Sequence, residues 1–203
     1  MVVPVEIEET IIEWLRSGND DANDVVDLPW EVRQLEPNLY IAEHPKMPFT
    51  LMVSFGNGFV RLLVPMGLET FSMTNDEKLK VYHTLLKLNA EINLMKFLLM
   101  GMNDDVYLAV DLDTSSLEKD EFNDALSALL VGLLSAVSAL GLEEEFEGLL
   151  RERVLAMVYE RLRNGASREE LLNFLVSRVG MSKNEALALL SEVLPEESDR
   201  SYM

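Results

Sequence analysis

The chain of 203 residues is long enough for one large domain, or for a medium domain with a small appendage. Its net charge is −19, and residues 1–150 hold 27 Asp and Glu against 9 Lys and Arg, so we expect this part to repel nucleic-acid phosphates and anionic membranes. Cysteine is absent, which excludes a disulfide framework, a thiol nucleophile and a cysteine-ligated metal.

The first 43 residues predict one helix and two short strands. The N-terminus carries acid early and has no basic region, unlike a signal peptide, and we predict a cytoplasmic protein. Apolar residues at helical spacing predict a helix over Val5–Arg16, with Gly18 as its C-cap. After an acidic loop, Leu28–Leu35 and Leu39–Glu43 are predicted strands, separated by a turn at Pro37-Asn38.

Residues 49–140 predict a hairpin, a helix, a second hairpin and a long helix. Asn57-Gly58 suits the tight turn of the first hairpin, and the Thr74 region caps a helix that ends near Ala90. The long helix runs from about Ser116 to Leu140. This order predicts an α+β fold over residues 1–142, an antiparallel sheet with helices packed on one face. The apolar face of the first of these helices is predicted to contain Leu79, Tyr82, Leu85, Leu86 and Leu88.

The long helix carries a stripe of small residues at helical spacing. Large apolar residues follow the same period and are predicted to sit on the sheet. Small residues let another backbone approach closely, so we predict that this second face packs on a helix of the C-terminal part or of a second subunit. The second case makes the protein a homodimer. The predicted interface residues are Ala125, Ala128, Gly132, Ala136 and Ala139.

The same helix raises the question of a membrane. Residues 125–142 contain no charged side chain, a length near the lower limit for a spanning helix. Three Ser and two Gly dilute this stretch, both flanks are acidic, and no Lys or Arg sets an orientation. We therefore predict a buried helix rather than a transmembrane one, and no membrane partner.

Residues 148–195 predict a separate domain of three short helices. Gly165 and Gly180 each stop a helix, and a Ser two residues later begins the next with a capping box. The spacing around Gly180 is that of a helix-turn-helix. The helix from Lys183 to Val193 offers DNA only Lys183 and Asn184, so we predict no nucleic-acid partner. A regulatory protein whose C-terminal helices contact nucleic acid or a transcription component is the alternative.

Residues that would carry chemistry are few. No P-loop, GxSxG or HExxH motif occurs, and His44 and His83 are predicted to be structural because a catalytic His needs partners. A segment beginning at Asp111 resembles a calcium loop at first, but its sixth position is Ser116 rather than Gly and its twelfth is Phe122 rather than Glu. We predict no enzyme activity, no cofactor and no metal. An unrecognised hydrolase is a more distant alternative.

Methionine occurs 11 times, and several methionines fall in the predicted sheet. Met is flexible and polarisable, so it fills cores and also forms adaptable surfaces for a helix or an extended peptide. Core filling is the favoured interpretation. The residues that would form the alternative apolar surface are Met52, Met66, Met95 and Met100.

The stretch Leu85–Phe97, LLKLNAEINLMKF, resembles the type III secretion chaperone-like fold, in particular its YbjN-like branch. In that family a helix ending in Leu and Asn leads directly into a strand with a Lys-Phe step. The acidic turn Asn103–Asp105 and the strand end Asp111–Asp113 are also similar to the family. The resemblance covers residues 5–142 and implies a small acidic dimer that binds other proteins, with no catalytic residue.

Taken together, the sequence predicts a non-enzymatic, protein-binding or chaperone-like module that is cytoplasmic and dimeric. Its partners are predicted to be proteins, and the identity of those proteins is not encoded in any motif. The apolar and small-residue faces named above are the predicted points of contact.

Overall fold

A computed structural model describes residues 5–56 and 58–194. The chain divides into two compact units, Met1–Glu144 and Glu145–Met203. Asn57, predicted at the hairpin tip, and the C-terminal tail from Pro195 lie outside the described residues.

The first unit contains one antiparallel sheet. Its strands are β1 Glu31–Glu36, β2 Leu39–Glu43, β3 Thr50–Gly56, β4 Phe59–Glu69, β5 Lys96–Met100 and β6 Asp105–Asp113. They lie in the order β1-β2-β3-β4-β6-β5, so β5 and β1 are the edges. Asn38 (φ 64°) and Gly58 (φ 79°) take the left-handed conformation in the first and third turns, which Asn and Gly tolerate best.

Helices cover one face of this sheet. They are α1 Val5–Arg16, α2 Asn75–Glu91 and α3 Lys119–Leu140. α1 contacts β1, α2 contacts β5, and α3 contacts both β6 and α2. The strands alternate, and the buried side chains on the covered face include Leu51, Val53, Leu62, Leu108 and Val110. The predicted α+β fold, with helices on one face of an antiparallel sheet, is confirmed.

α3 is a core helix. Within the described residues, α3 alone is long and apolar enough to cross a membrane by length and composition, a test that the core helix of a folded domain also meets. Its buried residues are Phe122, Ala125, Leu126, Leu129, Gly132, Leu133, Ala136 and Val137. The Phe122 ring lies 5.9 Å from that of Trp14 in α1, centroid to centroid.

Gly18 has a different role from the predicted C-cap. Its φ is not in the left-handed region, so the prediction of a glycine cap was wrong. A Cβ at this position would lie 2.0 Å from the carbonyl oxygen of Asp27, so Gly18 is required for a close approach of two backbone segments. That approach closes the acidic loop between α1 and β1.

The same loop is tied to the sheet by a buried histidine. His44 is fully buried, and its Nε2 lies 3.2 Å from Oδ1 of Asp20 in the loop. Its Nδ1 accepts a hydrogen bond from the backbone N–H of Lys46 at 3.2 Å. Because Nδ1 is an acceptor, the ring proton is on Nε2, and this N–H donates a hydrogen bond to Asp20. His44 therefore joins two chain segments and offers no free nitrogen for catalysis.

The second unit is helical. It contains most of α4 (Glu143–Arg163), then α5 (Arg168–Asn173), a π-helical turn (Phe174–Val179) and α6 (Lys183–Val193). Ser167 and Ser182 cap α5 and α6, each with a complete capping box, as predicted. The first helix has 21 residues and is not short. The small core is formed by Val158, Leu171, Phe174, Leu175, Ala186, Leu189 and Leu190.

Candidate protein-binding surface

α2 divides its leucines between the core and the outside. Leu85 and Leu88 are buried, whereas Leu79 and Leu86 expose 67% and 68% of their surface. Leu79 and Leu86 are two helical turns apart and therefore lie on one line along the helix. We call this pair the α2 ridge. The prediction that all five apolar residues of α2 form one face was wrong, because adjacent residues on a helix point about 100° apart.

An apolar groove lies beside the α2 ridge, between α2 and the edge strand β5. Its volume is about 220 Å³. Small-molecule sites usually measure about 300–1,000 Å³, so this groove suits one large side chain better than a cofactor. The residues that line it are Tyr82, Leu85, Leu86, Asn89, Phe97, Leu98 and Leu99.

Asn89 closes one end of the β5 edge. Its Oδ1 accepts the backbone N–H of Phe97 at 2.7 Å, and its Nδ2 donates to the Phe97 carbonyl oxygen at 3.4 Å. The amide thus occupies the place of a neighbouring strand. Antiparallel strands direct alternate residues toward their partner, so the N–H and C=O of Leu99 also point away from β6. The edge is therefore closed at Phe97 and open at Leu99.

Further exposed apolar side chains lie before α2 and in the turn between β5 and β6. Phe71, which precedes α2, donates its N–H to the Asn103 carbonyl oxygen at 3.0 Å. Met102 in that turn is 94% exposed. We call the whole set the apolar edge; it comprises Phe71, Leu79, Leu86, Leu99, Met100 and Met102, with Met100 on the opposite face of β5 from Leu99. Exposed apolar clusters of this kind mark interaction surfaces in soluble proteins.

Two exposed lysines of α2, Lys80 and Lys87, lie beside the α2 ridge. Across residues 5–56 and 58–194, neither Lys80 nor Lys87 takes part in an ion pair. Lys119, by contrast, pairs with Asp27, and Lys96 pairs with Asp111. The α2 ridge thus has two lysines beside it in a protein of net charge −19, although Lys80 interacts electrostatically with Glu77.

The uncovered face of the sheet carries a charged cluster. Asp111 on β6 accepts two bonds from Arg61 on β4, at 2.5 and 3.1 Å, and one from Lys96 on β5 at 2.5 Å. The Arg61 guanidinium, with help from Lys96, holds the pKa of Asp111 below its usual value. A carboxylate that two cations already engage is suited to joining strands rather than to acting as a base.

The predicted small-residue face is largely occupied by the chain itself. Ala125, Gly132 and Ala136 are buried, and a Cβ at Gly132 would lie 2.1 Å from Met95 Sδ and 2.9 Å from Leu108 Cδ2. Ala128 is half-buried. The exposed Ala139 lines a cleft that Val81 and Thr84 of α2 also line. The neighbours of this face include α2 and the residue before β5, neither of which the sequence analysis considered.

The four methionines proposed as a surface are separated in the structure. Met66 and Met95 are buried in the core, and Met52 is half-buried on the uncovered face of the sheet. Met100 is exposed and belongs to the apolar edge. Among the residues that the structure describes, no three His, Asp or Glu side chains could jointly hold a metal ion.

Sequence reasoning missed the α2 ridge, although a signal for it exists. Leu85 and Leu86 are adjacent, so only one of them can face the core at the centre of a helix. Leu86 has the same helical angle as Leu79, and lysines follow each of these two leucines by one position. A helical projection of α2 therefore places an apolar and basic strip opposite the buried Leu88.

Comparison with known proteins gives family matches without an assigned activity. Residues 10–140 match the family model described as a domain of unknown function (DUF8183). Residues 141–203 match a second model, HTH_78, which is also described as a domain of unknown function. No curated protein matches the sequence.

Two solved structures show a weak likeness. A chain of the heterodimeric complex ExoU–SpcU from the type III secretion system of Pseudomonas aeruginosa has 16% identity and a TM-score of 0.39, over 54% of this chain and 81% of that one. An uncharacterized protein from Methanothermobacter thermautotrophicus has 14% identity and a TM-score of 0.45, over 69% and 99%. Both TM-scores are below 0.5, too low to support a conclusion about function.

Proposed function

The chain belongs to the DUF8183 family, a domain of unknown function, and we propose that it is a non-enzymatic, cytoplasmic protein-binding module with a chaperone-like role. The observation that carries this proposal is the apolar edge. Its six side chains are large and exposed, and they lie on α2, on the edge strand β5 and in the segments next to these two elements. Covering them with a partner removes apolar surface from water, which is the main driving force of protein association.

The YbjN-like resemblance supports the chaperone-like part of the proposal. It rests on the helix end at Asn89 and the Lys96-Phe97 step. In this protein Asn89 and Phe97 are in contact, because the Asn89 amide hydrogen-bonds both the N–H and the carbonyl oxygen of Phe97. The segment that carries the resemblance therefore also contributes Asn89 and Phe97 to the lining of the groove.

A pull-down from the native host tests the proposed function. The tagged chain is compared with a Leu79→Glu/Leu86→Glu variant, and bound proteins are identified by mass spectrometry. We expect the wild type to retain a specific partner that the variant loses, because a charge on the α2 ridge opposes its burial. Leu35→Glu is the control, since Leu35 is a similarly exposed leucine on β1. Identical partner sets for all three proteins would contradict the proposal.

We also propose that the protein forms a homodimer, through the outer side of α3. The small-residue face is filled, but Val131 and Leu134 on the other side of α3 are 53% and 47% exposed. Light scattering at micromolar concentration tests this proposal. We expect a dimer for the wild type and a monomer for Val131→Lys/Leu134→Lys. A wild-type monomer excludes the dimer and leaves the pull-down result unaffected.

The second candidate function is nucleic-acid contact by the C-terminal helices. The HTH_78 match favours it, as does the three-residue turn around Gly180 between two helices. The arginines that would contribute to a basic patch are partly engaged: Arg151 pairs with Glu192, and the Arg161 guanidinium lies 3.6 Å from the Phe174 ring centroid. Anisotropy with labelled duplex DNA decides between the candidates. Salt-sensitive binding that Lys183→Glu weakens would favour this one.

A further inference from the structure

The α2 ridge has the spacing of one half of a helix–helix contact. Leu79, Tyr82 and Leu86 stand at positions i, i+3 and i+7, the pattern with which one helix meets another. Tyr82 and Leu86 also line the groove of about 220 Å³, which can accept one large apolar side chain from the partner. A pocket for one large side chain, with a row of apolar residues beside it, is typical of a groove that binds an amphipathic helix.

The β5 edge disfavours an extended strand as the occupant. Asn89 already bonds both backbone groups of Phe97, so an added strand would have to displace it. Only the backbone groups around Leu99 remain open. A helix makes its backbone hydrogen bonds internally, so it needs none from the β5 edge.

The charges beside the α2 ridge specify the sign of the partner. Lys80 and Lys87 follow the two ridge leucines by one residue each, and both are exposed. The carboxylate of Glu77 accepts bonds from the N–H and the hydroxyl of Thr74 and also interacts electrostatically with Lys80. At physiological ionic strength the screening length is about 8 Å, so a bound helix responds mainly to the charges next to the ridge. These are Lys80 and Lys87 together with one exposed acid, Asp76, a helical turn before Leu79.

We propose that the α2 ridge and its groove bind an acidic amphipathic helix of a partner protein. The partner helix places apolar residues on Leu79 and Leu86, inserts one of them into the groove, and directs carboxylates to Lys80 and Lys87. This inference rests on the proposed protein-binding function and adds the secondary structure and charge of the partner.

Fluorescence anisotropy with two designed peptides tests the inference on the full chain. Both peptides are about 18 residues long, with Leu at i, i+3, i+7 and i+10. One has Glu on the flanks of the leucine stripe and the other has Lys. Net charge alone favours the Lys peptide, since the protein carries −19. The proposal requires the opposite, with the Glu peptide at least about tenfold tighter at about 0.15 M salt.

Variants then assign the binding site. Lys80→Glu/Lys87→Glu should weaken the Glu peptide at least about tenfold, and Leu86→Glu should weaken it by a similar factor. The matched controls are Lys183→Glu on α6 and Leu35→Glu on β1, which should leave the affinity unchanged. Circular dichroism checks that each variant retains the wild-type helix content. Tighter binding of the Lys peptide, or no effect of the α2 variants, would overturn the inference.

Two further outcomes separate this inference from the proposals beneath it. If Leu86→Glu converts a dimer to a monomer and the Glu peptide does not bind, a second copy of the chain occupies the ridge, and the inference is wrong. If the native partner is lost from Leu79→Glu/Leu86→Glu but neither peptide binds, the protein-binding function stands and the acidic helix is excluded.

Discussion

α2 and α3 lie side by side on the same face of the sheet, and they use their apolar residues in opposite ways. α3 has an uncharged stretch that resembles a membrane or interface helix, yet it buries eight of its residues in the core. α2 has an ordinary mixed composition, yet it exposes two leucines fully enough to form a ridge. Composition therefore identifies the helix that builds most of the core, whereas the exposed leucines of α2 are identified by their positions around the helix.

The largest expected effect concerns the α3 core. Gly132→Leu should lower the free energy of unfolding by about 3 kcal/mol, because its side chain would overlap Met95 and Leu108. Urea denaturation measures the change. Val131→Leu, one position away on the exposed side, is the control and should shift stability by less than about 0.5 kcal/mol. Equal stability of the two variants would remove the distinction between the faces of α3.

The adjacent leucines of α2 give the next largest effect. Leu85→Ala should cost about 2–3 kcal/mol, because Leu85 is only 5% exposed and its loss leaves a cavity. Leu86→Ala should cost less than about 0.5 kcal/mol. Thermal or urea unfolding of the two variants measures the difference. A cost at Leu86 as large as that at Leu85 would mean that the α2 ridge is covered in the folded protein.

The Asn89 bridge should have an intermediate effect. Asn89→Ala removes both bonds to Phe97 and should destabilise the protein by about 1–2 kcal/mol. Amide hydrogen exchange should show the largest loss of protection at Phe97. Asn93→Ala, an exposed asparagine after α2, is the matched control. Unchanged exchange at Phe97 would show that the amide does not protect the β5 edge.

The helix starts give the smallest effect. Thr74 and Glu77 form a capping box on α2, whereas Glu118 at the start of α3 makes no side-chain cap bond. Thr74→Ala should therefore cost about 1 kcal/mol and Glu118→Ala much less. Denaturation at neutral pH compares the two variants, and a similar cost for both would contradict the comparison.

The capping box also gives a pH dependence with a definite sign. Bonds from Thr74 hold the pKa of Glu77 below its usual value in the folded protein. Its contribution is therefore present above the unfolded-state pKa and is lost as the pH falls through the folded-state pKa. The difference in stability between wild type and Glu77→Gln should narrow toward acid pH. A difference that stays constant down to pH values below the folded-state pKa would contradict this assignment.

The structural features that depend on residues close in sequence are the ones that the sequence predicts. The Asn38 turn and the capping boxes at Ser167 and Ser182 follow from local backbone preferences, and the structure confirms them. The alternation of Leu51, Val53 and Phe55 likewise places the core face of β3 without knowledge of its partners.

The features that sequence reasoning missed depend on contacts between residues of different elements or loops. Gly18 is needed because Asp27 approaches it, and the small face of α3 is needed because Met95 fills it. The groove exists because Asn89 bonds Phe97 across the helix–strand connection. None of these contacts has a local signal, since each depends on how separate elements pack.

The strand order has a consequence for how the first unit assembles during synthesis. β1 to β4 are joined by short turns and can pair in sequence as they leave the ribosome. β4 must then wait for β6, because partners such as Arg61 and Asp111 are 50 residues apart. Until β6 has been synthesised, one hydrogen-bonding edge of β4 has no partner strand. The Arg61–Asp111 pair can therefore form only after β6 has been synthesised.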